Sequence, residues 1–396
     1  MMCAAVAGQR GKKVVLIEHA AKLAEKIRIS GGGRCNFTNL YTSPENFISE
    51  NPDFCRGALA RYTPQDFLAL LRRHGITFHE KHCGQLFCDD SSERIIEMLV
   101  AECDAGRVHW RRPIKVARIT RDTARDTSAG SHRFMLEGSD LSIRAEWLVI
   151  ASGGLSIPKI GASDFAYRVA RQFGLRVIEP RPALVPLTFA ADSWKAFVAL
   201  AGVALEVNVT CGSGRDQARF REDMLFTHRG LSGPAILQIS SFWKPGEALA
   251  IDLAPTEKLV ETLIEAKSAT RLSVVNALAQ SLPRRLALHW FDASDAKPQT
   301  AALRDRRLAD VPDRDIRRFA DALQPWTIAP NGTKGFKKAE VTRGGIDTRE
   351  LSQRTMEAVR VPGLHFIGEA VDVTGWLGGY NFQWAWASGF AAGQAV

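Results

Sequence analysis

Residues 12–18 read Lys-Lys-Val-Val-Leu-Ile-Glu, a β-branched apolar run closed by an acid, and predict a strand buried in a parallel sheet. The small residues before it, from Cys3 to Gly11, predict the end of a helix that closes at glycine. Residues 64–75 form an amphipathic pattern with Thr63 placed to cap it and Gly75 to end it. Residues 93–104 repeat that pattern behind Ser91 or Ser92, with Ile95, Ile96, Leu99 and Val100 on one face. Residues 114–120 and 134–143 alternate as half-solvated hairpin strands do. Residues 146–151 return to the continuous apolar type, Ser152-Gly153-Gly154 breaks them, and residues 164–174 are helical again.

The pattern changes between about residues 180 and 345, where Pro180, Pro182 and Pro186 cluster. Residues 188–210 and 248–253 predict strands of a separate β-unit. Residues 257–290 and 313–323 predict helices joined by a charged stretch over 292–311. The β/α alternation resumes at Leu364-His365-Phe366-Ile367, followed by a glycine-rich loop and a terminal helix from about Phe382. The expected fold class is therefore α/β. One sheet domain is built from 1–180 and 346–396, a β-rich insertion from 181–256 and 326–345, and a helical insertion from 257–325. A helix followed by a parallel strand implies a strand before the helix, and the sequence as written starts inside that helix.

Composition adds limits. The 396 residues, 45% hydrophobic and 24% charged, exclude a disordered chain. No apolar run approaches the ~20 residues that cross a bilayer, and no secretory signal opens the chain, so a cytoplasmic protein without a membrane partner is expected. Seven cysteines without paired CxxC spacing suit reduced thiols, with no metal site. A formal charge of +9 raises the question of nucleic acid. The stretch from Arg304 to Arg318 interleaves its arginines with aspartates and reads as solvated helix faces, so nucleic acid is not expected as a partner.

Three segments carry candidate chemistry. Glu18 ends a parallel strand, where an acid accepts hydrogen bonds from the ribose of a bound dinucleotide. Ser30-Gly31-Gly32-Gly33-Arg34-Cys35-Asn36 lets backbone approach a ligand and aims N–H groups at phosphate, with Arg34 adding charge and Ser30 and Asn36 adding directed hydrogen bonds. Gly368-Glu369 follows the last strand, and Gly375, Gly378, Gly379, Tyr380 and Asn381 lead into the terminal helix, whose N-terminus would hold electron-rich oxygens. A further segment, Phe226-Thr227-His228-Arg229-Gly230-Leu231-Ser232-Gly233-Pro234-Ala235, contains a histidine suited to proton transfer near neutrality, and Ser232 could cap a helix beginning near Pro234. Cys35 reads as a small packing residue, and a redox pair of Cys83 and Cys88 is not expected without CxxC spacing.

Together, Ile29 to Asn39, Phe226 to Ala235 and Gly368 to Asn381 resemble the YhiN/BaiN-type, aminoacetone oxidase-like family of bacterial FAD-dependent oxidoreductases over essentially the whole chain. The resemblance implies a discontinuous FAD-binding Rossmann-like domain with inserted β-barrel-like and helical units. It places Glu18, Ser30 to Asn36, Val116, Ser152, Gly153, Gly154, Gly368, Glu369, Gly375, Gly378, Gly379, Tyr380 and Asn381 at the cofactor, and His228 and Tyr380 as catalytic groups. It implies a small-molecule substrate, either a conjugated enone reduced at its double bond or an aminoketone oxidised, with NAD(P)H as a transient electron donor. The family opens with a strand and a GxGxxG turn, so FAD binding is expected to depend on residues ahead of Met1. The alternative is a flavoprotein-like binding module without catalysis, associated with RNA.

Overall fold

Two parallel strand pairs organise one half of the chain: Val15–Ile17 with His109–Arg111, and Leu148–Ile150 with Leu364–Phe366. The computed structural model describes residues 1–121, 133–292 and 301–396. These fall into two units, 1–181 with 341–396, and 182–340.

In the first unit the small-residue helix Met2–Gln9 lies between Glu93–Ala105 and the C-terminal helix Tyr380–Ala395. Its composition is what lets it in: a Cβ on Gly393 would sit 2.8 Å from the Cys3 carbonyl oxygen, and one on Gly8 would sit 2.3 Å from the Gly106 oxygen. The Pro64–Arg73 helix carries the cap expected of it. Thr63 Oγ1 accepts from Asp66 N, and the Asp66 carboxylate accepts from Thr63 N at 2.7 Å. The antiparallel strands Arg118–Arg121, Phe134–Gly138 and Leu141–Ala145 form a separate small sheet, so the alternation over 134–143 is a tight hairpin. Residues 114–117 lie ahead of it, outside any strand.

The second unit is a seven-stranded sheet in the order Trp326–Ile328, Leu249–Asp252, Ala204–Cys211, Ala218–Thr227, Gly230–Ser232, Leu187–Thr188, Gly332–Thr333. Helices Leu259–Ala269, Val274–Ser281, Arg284–Asp292 and Asp313–Ala320 belong to the same unit. The connection expected over 292–311 lies partly outside the described residues. Two expectations are corrected here. Residues 188–210 are strand only at their two ends, because Trp194 folds back on Phe189 with ring centroids 4.6 Å apart and donates its indole N–H to the Thr227 carbonyl at 2.9 Å. That fold-back makes a short helix at Ala191–Trp194. The cap before Pro234 is Gly233 at φ +89°, with Ser232 inside a strand. A Cβ at Gly233 would lie 2.7 Å from the Asp223 oxygen. Among the described residues, no helix is long and apolar enough to cross a membrane.

Candidate functional site

Parallel sheets take ligands beyond the carboxyl ends of their strands, here those of Leu148–Ile150 and Leu364–Phe366. Ser152-Gly153-Gly154 leaves the first strand and Gly368-Glu369 the second. Glu369 is held from three sides. Ser156 Oγ donates to its Oε1 at 2.9 Å, Thr342 N donates to the same oxygen at 2.8 Å, and the Lys26 ammonium pairs with Oε2. Lys26 Nζ also donates to Ser156 Oγ at 2.7 Å, and Thr342 Oγ1 accepts from Leu155 N at 2.8 Å. Gly154 must be glycine, because its Cβ would stand 2.5 Å from Thr342 Oγ1 and 3.0 Å from the buried Tyr167 hydroxyl. The amides of Ser152, Gly153 and Gly154 have no hydrogen-bond partner among the described residues, which leaves three donors for ligand oxygens.

The Ser30–Gly33 turn runs through three successive left-handed glycines, at φ +56°, +66° and +87°. This reversal brings Cys35 N to the Ser30 carbonyl at 3.1 Å, and glycine alone adopts it without strain. A Cβ on Gly32 or Gly33 would meet nothing within 4 Å, so that side of the turn is open to a ligand. Arg34 is exposed beside it, and Ser30 Oγ donates inward to the Ile27 carbonyl at 2.8 Å. Cys35 is fully buried, and burial pushes its thiol up to about 12. All seven cysteines are free thiols, Cys83 being the exposed one. Brief alkylation of the native protein at pH 8 should therefore label Cys83 and spare Cys35. Mass mapping that finds Cys35 modified first would contradict this packing.

The C-terminal turn sits directly on the Asn36–Asn39 strand. Asn39 Nδ2 donates to the Gly378 carbonyl at 3.0 Å, and Asn36, with its amide oriented to satisfy its neighbours, accepts from Gly379 N at 3.2 Å. Asn381 ties the loop behind it, accepting from Gly375 N and donating to the Gly375 carbonyl, each at 2.8 Å. The Tyr380–Ala395 helix then begins, with the amides of Tyr380, Asn381 and Phe382 lacking intrahelical acceptors at the positive end of the helix dipole. Tyr380 is 7% exposed, edge-on to Phe47 at 6.2 Å, and burial raises its phenol pKa, so it keeps its proton through neutral pH.

Glu18 follows its strand with Oε1 accepting from Ala20 N at 2.8 Å and paired with His19 at 3.0 Å. Ile114 N donates to the Glu18 carbonyl at 2.9 Å, which sets the half-buried Val116 two residues beyond that contact. His228 occupies the exposed turn between Ala218–Thr227 and Gly230–Ser232, in the second unit. The structure thus joins the Ser30 turn to the Gly378 turn, and the Ser152 loop to Glu369. Lys26, Ser156 and Thr342 were not expected at the site. Lys26 lies four residues before Ser30 and Ser156 two after Gly154, whereas Thr342 borders no motif.

Open amides at strand ends, an uncovered glycine turn and a helix N-terminus are the donor set that a phosphate-linked flavin dinucleotide requires, and the residues present fit FAD. The family described as "HI0933-like protein Rossmann domain" matches residues 1–395. The chain is 48% identical over 395 residues to the Ribosomal RNA dihydrouridine synthase of Escherichia coli (strain K12), covering 100% of this chain and 94% of that protein. It is 42% identical over 400 residues to the protein of the same name from Haemophilus influenzae, covering 100% and 95%. It is 28% identical over 417 residues to the 3-dehydro-bile acid delta(4,6)-reductase of Clostridium scindens, covering 99% and 95%. The chain belongs to the HI0933-like family of FAD-binding Rossmann oxidoreductases.

Proposed function

We propose that this protein is an FAD-dependent reductase that saturates the C5=C6 double bond of a uridine in ribosomal RNA. The observation that carries the reading is its full-length identity, 48% and 42%, to two proteins named for making dihydrouridine in ribosomal RNA. The bile acid relative is named for reducing another unsaturated substrate. Uracil C5=C6 is conjugated to the C4 carbonyl, so the proposed reaction shares the double-bond chemistry of one of the two substrate classes expected from the sequence, but on a polynucleotide instead of a small molecule. Aminoketone oxidation has no counterpart in the names of these three relatives.

FAD, when bound and reduced, would supply the hydride, with NAD(P)H as the electron donor this reading assigns. The chain's own residues bind and orient. The Ser152–Gly154 amides and the Gly32–Gly33 turn would hold cofactor oxygens, with Glu18 and the immobilised Glu369 accepting from its hydroxyls. The first amides of the Tyr380–Ala395 helix would stabilise negative charge at the ring's pyrimidine edge. Hydride arriving at C6 leaves charge delocalised onto the C4 oxygen, and C5 must then receive a proton. Tyr380, whose burial keeps it protonated, is the donor this reading assigns within the first unit. The reading is tested by whether the flavin-loaded chain, given NAD(P)H, converts uridine in ribosomal RNA to dihydrouridine.

A further inference from the structure

One run of the first unit carries cations without any acid. Residues 107–121 contain Arg107, Arg111, Arg112, Lys115, Arg118 and Arg121 and no aspartate or glutamate. Arg107, His109, Arg111, Arg112, Lys115 and Arg118 are exposed, and so is Lys13. The strand pairing makes much of this one strip. Among the described residues His109–Arg111 pairs in parallel with Val15–Ile17 alone, and His109 N donates to the Val14 carbonyl at 2.9 Å, so Lys13 and Arg107 both lie just beyond the same end of the pair. Lys12 lies at the same edge, its ammonium 4.3 Å from the Trp147 ring centroid.

Some surface cations of this chain sit against carboxylates. Arg304 and Arg314 have Asp305 and Asp315 at 3.8 Å. Lys13, Arg107, Arg111, Lys115 and Arg118 have no carboxylate oxygen within 4.0 Å among the described residues. Glu137 faces Arg118 across the antiparallel pair without forming an ion pair, and the Glu18 carboxylate is engaged by His19 and Ala20 N. Cations on an edge strand can serve to block pairing with another chain. That accounts for His109 and Arg111, but not for Arg107, Lys115 and Arg118, which flank the strand.

We propose that this strip is the docking surface for the phosphate backbone of an RNA substrate, an inference that rests on the ribosomal RNA reading above. A row of exposed arginines and lysines, without a carboxylate partner among the described residues, complements a polyanion, each contact releasing condensed counterions. Such contacts fix the register of the RNA without reading its bases. Arginine adds bidentate hydrogen bonds to phosphate oxygens.

The test compares three full-length, FAD-loaded proteins binding deproteinised ribosomal RNA across a salt series. They are the unaltered chain, a variant with Lys13→Gln, Arg107→Gln, Lys115→Gln and Arg118→Gln, and a control with Arg314→Gln, Arg317→Gln and Arg318→Gln. The strip variant should bind about tenfold or more weakly at low salt, with the slope of log Kd against log salt reduced by about 3, from four contacts at ~0.7–0.9 each. The control should change little, and flavin content should match in all three. In the unaltered protein, bound RNA should also shield Lys13 and Lys115 from amine acylation, a readout independent of any variant's folding. Unchanged affinity and slope in the strip variant, or acylation indifferent to RNA, overturns the docking surface while leaving the proposed reaction standing. Failure of the unaltered chain both to bind ribosomal RNA and to reduce its uridine overturns the proposed reaction, and this inference with it.

Discussion

Glu369→Leu should cost the protein about 2 kcal/mol of FAD binding, roughly thirtyfold in Kd. The expectation follows from what the carboxylate holds. Its removal leaves the Lys26 ammonium, Ser156 Oγ and Thr342 N without their shared acceptor, and these groups come from three separate stretches of the chain. The side chains of Lys26 and Glu369 are 35% and 18% exposed, so water recovers part of the loss and the full penalty of a buried broken pair does not apply. Glu369→Gln should fall between, since an amide oxygen still accepts from Ser156 and Thr342 while the charge pair with Lys26 is gone. Flavin fluorescence titration measures this directly, and a Leu variant with the parent's Kd would remove Glu369 from the cofactor's surroundings.

Gly379→Ala should destabilise the first unit by about 2–5 kcal/mol, summing overpacking with the left-handed penalty for a side chain. Its Cβ would lie 2.3 Å from the Thr38 carbonyl oxygen, a rigid strand atom, and the residue sits at φ +98°. Gly32→Ala is the matched control, because φ is +66° there but no atom lies within 4 Å of the added carbon. It should lose only the backbone part, ~1–2 kcal/mol. Thermal unfolding of the two variants separates clash from strain, and equal melting temperatures would contradict the contact. Because Gly379 is packed against Thr38, a substitution there disturbs the turn itself before it reports on the redox potential of the flavin.

What the sequence disclosed follows the range of the forces involved. The Pro64–Arg73 helix is local in origin, since Thr63, Pro64 and Asp66 make its cap within four residues. The glycine turns were legible for the same reason: Gly31 to Gly33 and Gly378-Gly379 demand left-handed backbone, and glycine supplies it whatever lies elsewhere. The Glu369 cluster has no local signature. Ser156 is 130 residues from Lys26, and Glu369 is 343 residues from Lys26, so only the paired strand ends bring them together. Tertiary contact also overrode the strand pattern at 188–210, where the Trp194 indole finds Thr227. In the charge pattern, interleaved aspartates make Arg304–Arg318 a solvated face. The run over 107–121 stands out by the absence of acids, and its contiguity with Lys13 exists only once the strands pair.

The central claim concerns the reaction itself. Purified protein loaded with FAD would be incubated anaerobically with NADPH and ribosomal RNA not already modified at the target, and nucleosides from digested RNA would be resolved by mass spectrometry. The account predicts dihydrouridine, seen as uridine carrying two added hydrogens, formed in proportion to NADPH consumed and lost when FAD is withheld. A protein that binds FAD and is reduced by NADPH, yet leaves every uridine in the RNA unreduced, would contradict it.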